Sequence, residues 1–277
     1  MTGGPRIAVL DYGIGNLRSA EKALQHVGAA AHLVRDPSDV EAADAVVLPG
    51  VGAFGACARA LRESGLEKPA RDAIAAGVPF LAVCVGFQLL YEGSDENVGA
   101  GHGRLGAPGA PGAPGAPGAP GAPVSDEIAR TLAFSEKSAP ADVDAPAETE
   151  EPGLGIFAGR VTALAPTVKH PQMQWNQLEL VGAGTGADAG GDGAGDGAGP
   201  GGRSGPASLH GLGLRPWVYF VHSFAPPVGP ETVATCDYGG AVAALVERGN
   251  LWGAQFHPEK SGRSGLALLA NFVALAA

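Results

Sequence analysis

The sequence predicts an α/β fold in which a mostly parallel sheet is flanked by helices. Two observations support this prediction, one from the first part of the chain and one from its C-terminal third. Short apolar runs rich in β-branched residues alternate with amphipathic helical patterns from the N-terminus to about residue 90. Alternation of this kind is typical of βαβ units, whose strands lie parallel to each other. The C-terminal third adds several short strands and one last helix, so we expect a mixed sheet within a three-layered domain.

The predicted elements follow this alternation in order. The first strand is RIAVLDY (6–12), and the helix NLRSAEKALQHVG (16–28) ends at a glycine, which commonly terminates helices. The next elements are the strands AAHLVRD (30–36) and DAVVLPG (44–50), the helices FGACARALRESG (54–65) and EKPARDAIAAG (67–77), and the strand PFLAV (79–83). A further helical pattern begins at Phe87. The last elements are the strands WVYFVHSF (217–224), AVAALVE (241–247) and LWGAQF (251–256) and the helix SGLALLANFVALAA (264–277).

Two low-complexity tracts interrupt a single domain that is expected to span residues 1–277. The first, at about 99–152, contains six tandem Gly-Ala-Pro triplets (106–123) and then an acidic segment rich in Pro and Ala. The second, at about 182–206, is rich in Gly, Ala and Asp. Neither tract offers enough apolar side chains to bury. Both are therefore predicted to be flexible insertions outside the core.

The composition excludes several classes of function. With 18 basic and 28 acidic residues the formal net charge is -10, whereas a nucleic-acid-binding protein would carry a basic surface. No segment is long enough to span a membrane, and the apolar run 7–10 is too short for a signal peptide. Three widely spaced cysteines indicate neither a disulfide framework nor a metal site. We therefore expect a reduced, cytoplasmic protein with no metal and no cofactor.

Ligands of such folds bind at the carboxyl ends of the parallel strands. Cys84 lies at such a strand end and is a candidate nucleophile. It directly follows the apolar run 78–83, precedes the helical pattern, and has Gly86 two residues further on. A cysteine on a sharp strand-to-helix turn is an exposed nucleophile beside the amide groups of a helix N-terminus. The alternative is a packed structural thiol, because most cysteines are buried.

Two further strand ends carry candidate catalytic groups. Pro258 is expected to keep the segment after LWGAQF extended, so that His257 and Glu259 point the same way and Glu259 orients His257 as the base for a thiol. The alternative is an unrelated surface pair. In the loop 49–52, the amide of Val51 or Gly52 could complete an oxyanion hole, although a simple turn would use the same glycines.

Together these motifs resemble the class I, triad-type glutamine amidotransferases, whose Cys, His and Glu release ammonia from the glutamine side chain. The elbow Cys84-Val85-Gly86-Phe87-Gln88 and the segment QFHPEKS (255–261) carry this resemblance. More narrowly, the motifs DYGIGNLRS, PGVGAFG, WN at 175–176, YFVHSF and HPEKS are similar to the glutaminase subunit of imidazole glycerol phosphate synthase, from histidine biosynthesis. The resemblance covers nearly all of the chain outside the two tracts.

The resemblance implies a class I glutamine amidotransferase-like fold with a nucleophile elbow, and a role for each matching residue. Cys84 would be the nucleophile, His257 the base and acid, and Glu259 the residue that orients His257. The other implied roles are oxyanion donor (Val51, Gly52 and the amide of Val85), glutamine binding (Gln88, Glu96 and Ser223) and contact with a partner (Tyr219, Trp175, Asn176 and Lys260). The implied partner is a (β/α)8-barrel cyclase that uses the ammonia to make imidazole glycerol phosphate and aminoimidazole carboxamide ribotide.

The sequence departs from the family pattern at several positions. Ala82 and the elbow residues Val85 and Phe87 differ from the usual Gly, Leu and Met but keep their size class and polarity. Gln172 and Gln174 replace a His and a Gly, a change that bears on the partner contacts. The alternatives left open are a glutaminase of pyridoxal phosphate or anthranilate synthesis, a thiol peptidase or amidase, and a catalytically silent interaction protein. An intact triad argues against the last of these.

Overall fold

The first part of the chain alternates strands and helices, as predicted. The computed structural model describes residues 3–96, 151–181 and 205–277, so both predicted insertions lie outside the described residues except at their edges, 151–152 and 205–206. The elements up to residue 88 are β1 (Arg6–Leu10), α1 (Leu17–His26), β2 (Ala30–Val34), α2 (Pro37–Glu41), β3 (Ala45–Gly50), α3 (Phe54–Glu63), α4 (Glu67–Ala75), β4 (Phe80–Cys84) and α5 (Val85–Gln88).

The second part is mostly β-structure and ends in one long helix. Its strands are β5 (Gly93–Ser94), β6 (Arg160–Ala163), β7 (Gln172–Gln177), β8 (Glu179–Leu180), β9 (Trp217–His222), β10 (Phe224–Ala225), β11 (Thr232–Asp237), β12 (Ala241–Arg248) and β13 (Leu251–Ala254). Two 3₁₀ turns (Ala207–Leu209 and Pro258–Lys260) precede the helix α6 (Gly262–Leu275). Within the described part of the chain, no helix is both long and apolar enough to cross a membrane.

An eight-stranded mixed sheet forms the centre of the fold, in the order β2-β1-β3-β4-β13-β12-β11-β8. The five strands from β2 to β13 are parallel, and β12, β11 and β8 continue the sheet in antiparallel fashion. Helix α1 packs against α6, whereas α2 and α3 both pack against α4. The predicted α/β class, with a mostly parallel mixed sheet flanked by helices, is confirmed. Two smaller sheets, β10-β6-β5 and β7-β9, lie outside the large one.

The central strands explain why the sequence pattern was informative. Every residue of β3 and of β4 is buried, because helices cover both faces of the parallel part of the sheet. Such strands therefore have continuous apolar sequences instead of alternating ones. Their carboxyl ends lie side by side, with Gly50 of β3 paired to Cys84 of β4. The register thus places the 49–52 loop directly against the turn at Cys84.

The helix expected to begin at Phe87 begins two residues earlier, at Val85, and is only four residues long. The apolar spacing of Phe87, Leu89 and Leu90 caused this error, since all three are buried whether or not the helix continues. Helix α2 was missed because it has only five residues. It is fixed by Pro37 at its first position and by the Asp36 side chain, which accepts a hydrogen bond from the amide of Ser38 at 2.9 Å.

Strand β13 approaches α5 so closely that only a glycine fits at position 253. A Cβ built on Gly253 would lie 2.2 Å from Cδ2 of Phe87 and 3.0 Å from Cγ2 of Val246. Phe87 is fully buried, so its ring has no open space into which it can move. The ring of Phe87 in α5 can therefore occupy its position only because residue 253 of the neighbouring strand has no side chain.

We expect Gly253→Ala to lower the free energy of unfolding by about 1–3 kcal/mol, the usual cost of overpacking a core. Urea denaturation measures the loss, and Phe87→Leu in the same chain should restore part of it because it removes ring atoms at the contact. Gly229→Ala is the matched control, since its Cβ would lie 3.7 Å from the nearest heavy atom. Equal losses in the two glycine variants would contradict the overpacking argument.

Candidate active site

Cys84 ends β4 in a strained backbone conformation. Its φ of 55° and ψ of -117° make it the one non-glycine residue with positive φ in the described ranges. Side chains rarely adopt this conformation because it brings Cβ against the backbone. The turn also requires Gly86, since a Cβ there would lie 2.0 Å from the carbonyl oxygen of Leu48. Strand β4 therefore turns sharply into α5 at Cys84, as in a nucleophile elbow. The expected exposure of Cys84 was wrong, because its side chain is buried in this turn.

His257 and Glu259 lie at the end of the neighbouring strand β13 and contact each other. His257 Nδ1 donates to Glu259 Oε1 at 2.9 Å, and each side chain is only 5% exposed. The expected extended segment was wrong, because residues 258–260 form a 3₁₀ turn. Pro258 takes the first position of this turn, where its missing N–H costs nothing. The turn brings the carboxylate of Glu259 to Nδ1 of the imidazole ring.

Backbone hydrogen bonds hold His257 in place. Its N–H donates to the carbonyl of Tyr219 at 3.0 Å, and its carbonyl accepts from Ser261 Oγ at 2.7 Å. Ser261 Oγ in turn accepts from the N–H of Tyr219 at 3.0 Å. Ser261 was missed as a site residue, although a serine shortly after a His-Pro-Glu motif is a recognisable signal. The imidazole is thus fixed between β9 and the turn.

The electrostatic environment links His257 to both Cys84 and Glu259. Burial lowers the pKa of His257, but the charges of Cys84 and Glu259 and the hydrogen bonds to them outweigh this effect and raise it above its ordinary value. Burial raises the pKa of Glu259, but the interaction with His257 outweighs it and the pKa falls. One imidazole therefore interacts with a thiol on one side and a carboxylate on the other, which is the arrangement of a catalytic triad.

The side-chain amides of Gln88 and Gln255 form a chain that ends at the sulfur of Cys84. Gln255 Nε2 lies 3.9 Å from Sγ, and the carbonyl oxygen of Val221 lies 3.8 Å from it. Gln255 Oε1 accepts from Gln88 Nε2 at 3.1 Å, and Gln88 Nε2 also donates to the carbonyl of Phe224 at 2.9 Å. The amide donors of Gln88 are thus bound within the protein. Gln255 was missed, although a glutamine in the apolar strand LWGAQF is an unusual residue for such a strand.

The predicted oxyanion donors lie beside the elbow. Val85 is the first residue of α5, so its N–H has no acceptor within the helix. A Cβ on Gly50 would lie 2.5 Å from the amide nitrogen of Gly86, so the loop backbone is in direct contact with the elbow. Gly52 has a φ of 89°, a conformation that favours glycine. The structure therefore brings Val51, Gly52 and Val85 to one region.

Glu96 and Ser223, the other predicted glutamine-binding residues, are both partly buried. Glu96 Oε2 accepts from the N–H of Phe54 at 2.7 Å, at the start of α3 and just after the 49–52 loop. Burial raises the pKa of Glu96, and the hydrogen bond from Phe54 opposes this shift. Ser223 joins β9 to β10, and its carbonyl accepts from the N–H of Leu164 at 2.9 Å. Among the described residues, none forms a hydrogen bond with the hydroxyl of Ser223.

The predicted partner-facing residues lie on or next to the ribbon β7-β9. Trp175 pairs directly with Tyr219 across the ribbon, with ring centroids 5.9 Å apart, and Trp175 is 46% exposed. Asn176 Nδ2 donates to the carbonyl of Asp237 at 2.9 Å, and Lys260 ends the turn that contains Glu259. Met173 alternates with Trp175 along β7 and is also exposed. One face of the ribbon therefore presents aromatic and apolar side chains.

Comparison with known proteins identifies the family. The sequence pattern of glutamine amidotransferase class-I matches residues 8–131. Imidazole glycerol phosphate synthase subunit HisH of Salinibacter ruber is 37% identical over 96% of this chain and 93% of the relative. The subunits of Nostoc punctiforme (35%; 98% of this chain and 96% of the relative) and Thermosynechococcus vestitus (37%; 98% and 97%) are similar over comparable lengths. The chain belongs to the HisH family of glutamine amidotransferases.

Solved structures agree with the fold of this family. A crystal structure of a glutamine amidotransferase superimposes with a TM-score of 0.56 at 19% identity, covering 98% of each chain. The structure of PurLQS from Thermotoga maritima gives the same TM-score at 15% identity and the same coverage. These likenesses concern the fold alone. The expected class I fold is confirmed by these structures, and the narrower resemblance to the imidazole glycerol phosphate synthase subunit is confirmed by the relatives.

Gln172, which stands where the HisH family often has a histidine, is completely buried. Its Oε1 lies 2.9 Å from Nε2 of His222, and its Nε2 lies 3.8 Å from Sγ of Cys236. His222 Nδ1 donates to the carbonyl of Phe224 at 2.9 Å. Of the two departures in this segment, Gln172 thus belongs to the core, and only Gln174 is exposed on the ribbon.

We expect His222 to make the protein less stable in acid. Burial lowers the pKa of His222 to about 4, against its ordinary value of 6.5, so below pH 6.5 the unfolded chain binds a proton that the folded protein does not. The resulting loss between pH 7 and 4.5 is about 2 kcal/mol. Urea denaturation at both pH values should show a smaller loss in His222→Asn, whose amide can replace the bond to Phe224. An unchanged loss in that variant contradicts the assignment, and exposed His32→Asn is the control.

Proposed function

We propose that this protein hydrolyses the side-chain amide of glutamine with Cys84, His257 and Glu259 as its catalytic triad. The observation that carries the proposal is the position of one buried imidazole, which interacts with a cysteine at a strained elbow and with a carboxylate 2.9 Å away. The elbow places the buried Cys84 at the carboxyl end of a central strand beside this imidazole, and an imidazole held by a carboxylate is suited to move a proton. Membership of the HisH family supports the same reaction.

The chemistry follows from these three groups. His257 takes the thiol proton, and the sulfur of Cys84 attacks the amide carbon to form a tetrahedral oxyanion. The amides of Val51 or Gly52 and of Val85 stabilise that oxyanion. The carbon–nitrogen bond breaks as His257 returns the proton to the leaving ammonia, and a thioester remains. His257 then activates a water molecule that releases glutamate and restores the thiol.

The glutamine itself would be held by its charged end. Glu96 offers a carboxylate for the α-ammonium group, and Ser223 offers a hydroxyl two residues after Val221, whose carbonyl oxygen lies 3.8 Å from Sγ of Cys84. Gln88 would act mainly through its amide oxygen, because its donors already bind Phe224 and Gln255. These assignments rest on the family resemblance and on positions around the elbow.

We further propose a (β/α)8-barrel cyclase as the partner that consumes the ammonia. The relatives are subunits of imidazole glycerol phosphate synthase, and the ribbon carries the exposed Trp175 beside the half-buried Tyr219, aromatic side chains of the kind enriched in interfaces. Asn176 follows Trp175 in the same ribbon, and Lys260 ends the turn that contains Glu259. The cyclase would use ammonia to make imidazole glycerol phosphate and aminoimidazole carboxamide ribotide. The cytoplasmic location stays a prediction.

Glutamate release with and without the cyclase tests this proposal. We expect the free subunit to be nearly inactive and the cyclase to raise kcat by at least about tenfold, because the 49–52 loop would complete the oxyanion hole only in the complex. Trp175→Ala should weaken the cyclase affinity by about tenfold or more, the usual effect of removing an interface aromatic. Leu214→Ala, which removes an 81% exposed leucine in the segment before β9, is the control. Comparable turnover with and without the cyclase would refute the proposed coupling.

A further inference from the structure

Two buried side chains outside the triad hold the 49–52 loop. Tyr12 Oη donates to the carbonyl of Pro49 at 2.6 Å, and Cys57 Sγ donates to the carbonyl of Val51 at 3.2 Å. Tyr12 follows β1 and is 5% exposed, whereas Cys57 lies in the first turn of α3 and is fully buried. The hydroxyl and the thiol also interact electrostatically with each other. A loop that is bounded by glycines is thus tied to the core at two carbonyls.

Each of these hydrogen bonds fixes an amide group of the loop. A trans peptide unit is planar, so its N–H points opposite to its carbonyl. The bond from Tyr12 to Pro49 therefore fixes the direction of the Gly50 N–H. The bond from Cys57 to Val51 likewise fixes the Gly52 N–H, which points away from α3. Between these two units lies Val51, whose own N–H donates to no other residue that the structure describes.

Both groups remain hydrogen-bond donors at neutral pH. Burial raises the pKa of Tyr12 well above its ordinary value, and burial raises the pKa of Cys57 to about 11. Each side chain thus keeps its proton. Because both are buried, leaving either donor without an acceptor would cost free energy of folding. Removal of one donor leaves a buried loop carbonyl without its partner. The loop, which contains Gly50 and Gly52, can then rotate at low cost.

We propose that Tyr12 and Cys57 are positioning residues for the oxyanion hole, because they fix the peptide units on either side of the Val51 amide. Neither side chain touches the substrate. This inference rests on the proposed glutamine hydrolysis. In that reaction the two residues would orient the loop amides beside Cys84. Since a tetrahedral oxyanion forms only after attack, loss of either hydrogen bond reduces kcat and leaves the binding of glutamine unchanged.

The test uses conservative variants of the full chain in complex with the cyclase. Removal of an oxyanion donor lowers kcat about 10²–10³-fold, and a misaligned donor should cost less, so we expect a fall of about tenfold for Tyr12→Phe and about threefold for Cys57→Ala. KM for glutamine should not change. Cys57→Ser keeps a donor at this position and should retain more activity than Cys57→Ala.

Two controls match these variants. Tyr238→Phe also removes a bond from a tyrosine to a carbonyl, that of Lys169 at 2.8 Å, and Cys236→Ala removes another buried thiol. Both should leave kcat unchanged. The rate of Cys84 alkylation by iodoacetamide, followed by mass spectrometry, provides the second readout. In that reaction the sulfur displaces iodide at a saturated carbon without forming an oxyanion, so Tyr12→Phe and Cys57→Ala should be alkylated at the wild-type rate.

Three outcomes overturn the proposal. The first is an unchanged kcat in both Tyr12→Phe and Cys57→Ala, and the second is a rise in KM with kcat preserved. The third is a parallel fall in alkylation and hydrolysis, because this would show that the elbow itself had been disturbed. Failure of the wild-type complex to release glutamate, with Cys84 still alkylated, would instead overturn the proposed function and this role together.

Discussion

Cys84→Ala is expected to abolish glutamine hydrolysis, with kcat reduced on the order of 10⁴-fold or more, as when other enzymes lose a nucleophile. No second thiol can replace it. Burial raises the pKa of Cys57 to about 11 and that of Cys236 to about 12, so both thiols keep their protons at neutral pH. The measurement is glutamate release by the complex, with and without the substitution. Retention of activity would remove the basis of the whole mechanism.

The same position allows a control for folding. Alanine and cysteine suffer the same backbone strain at a φ of 55°, so Cys84→Ala should unfold at nearly the same urea concentration as the wild type. Cys84→Gly should be more stable than Cys84→Ala by roughly 1 kcal/mol, because glycine adopts this conformation without a Cβ clash. If Cys84→Gly gains no stability over Cys84→Ala, the elbow is not strained.

The parallel core of the fold was predictable from sequence because its strands are buried on both faces. β3 and β4 therefore appear as uninterrupted apolar runs between amphipathic helices. β7 (QMQWNQ) gave no such signal, since it belongs to a two-stranded ribbon with exposed side chains. Its apolar residues Met173 and Trp175 are exposed, so packing in the core does not determine them. Local patterns cannot predict an element of this kind.

The candidate site was predictable where its residues lie close together in the sequence. Cys84 at a strand end and His257 close to Glu259 are visible in short segments of sequence, although the turn that joins His257 to Glu259 was wrongly expected to be extended. The supporting contacts are not local. Gln255 meets Cys84 across 171 positions of the chain, and Tyr12 meets Pro49 across 37. Sequence separations of this size are set by the order of strands in the sheet.

Glu259→Gln is expected to lower kcat by about 10²–10⁴-fold with little change in KM, because the side chain keeps its shape and loses its charge. The carboxylate of Glu259 stabilises the protonated form of His257 and helps to raise its pKa. Without this charge the pKa of His257 falls. The imidazole then loses, at a lower pH, the proton that it must return to the leaving ammonia. The alkaline limb of the kcat profile should therefore move to lower pH.

The measurement that separates this role from a structural one is the pH dependence of kcat in the complex. Glu63→Gln, at an exposed position near the end of α3, should leave the profile unchanged. A uniform fall in kcat across the pH range, with the alkaline limb in place, would mean that Glu259 only fixes the ring through its hydrogen bond to Nδ1. A shifted limb would mean that its charge acts on the proton, since an amide can still accept that bond at the same distance.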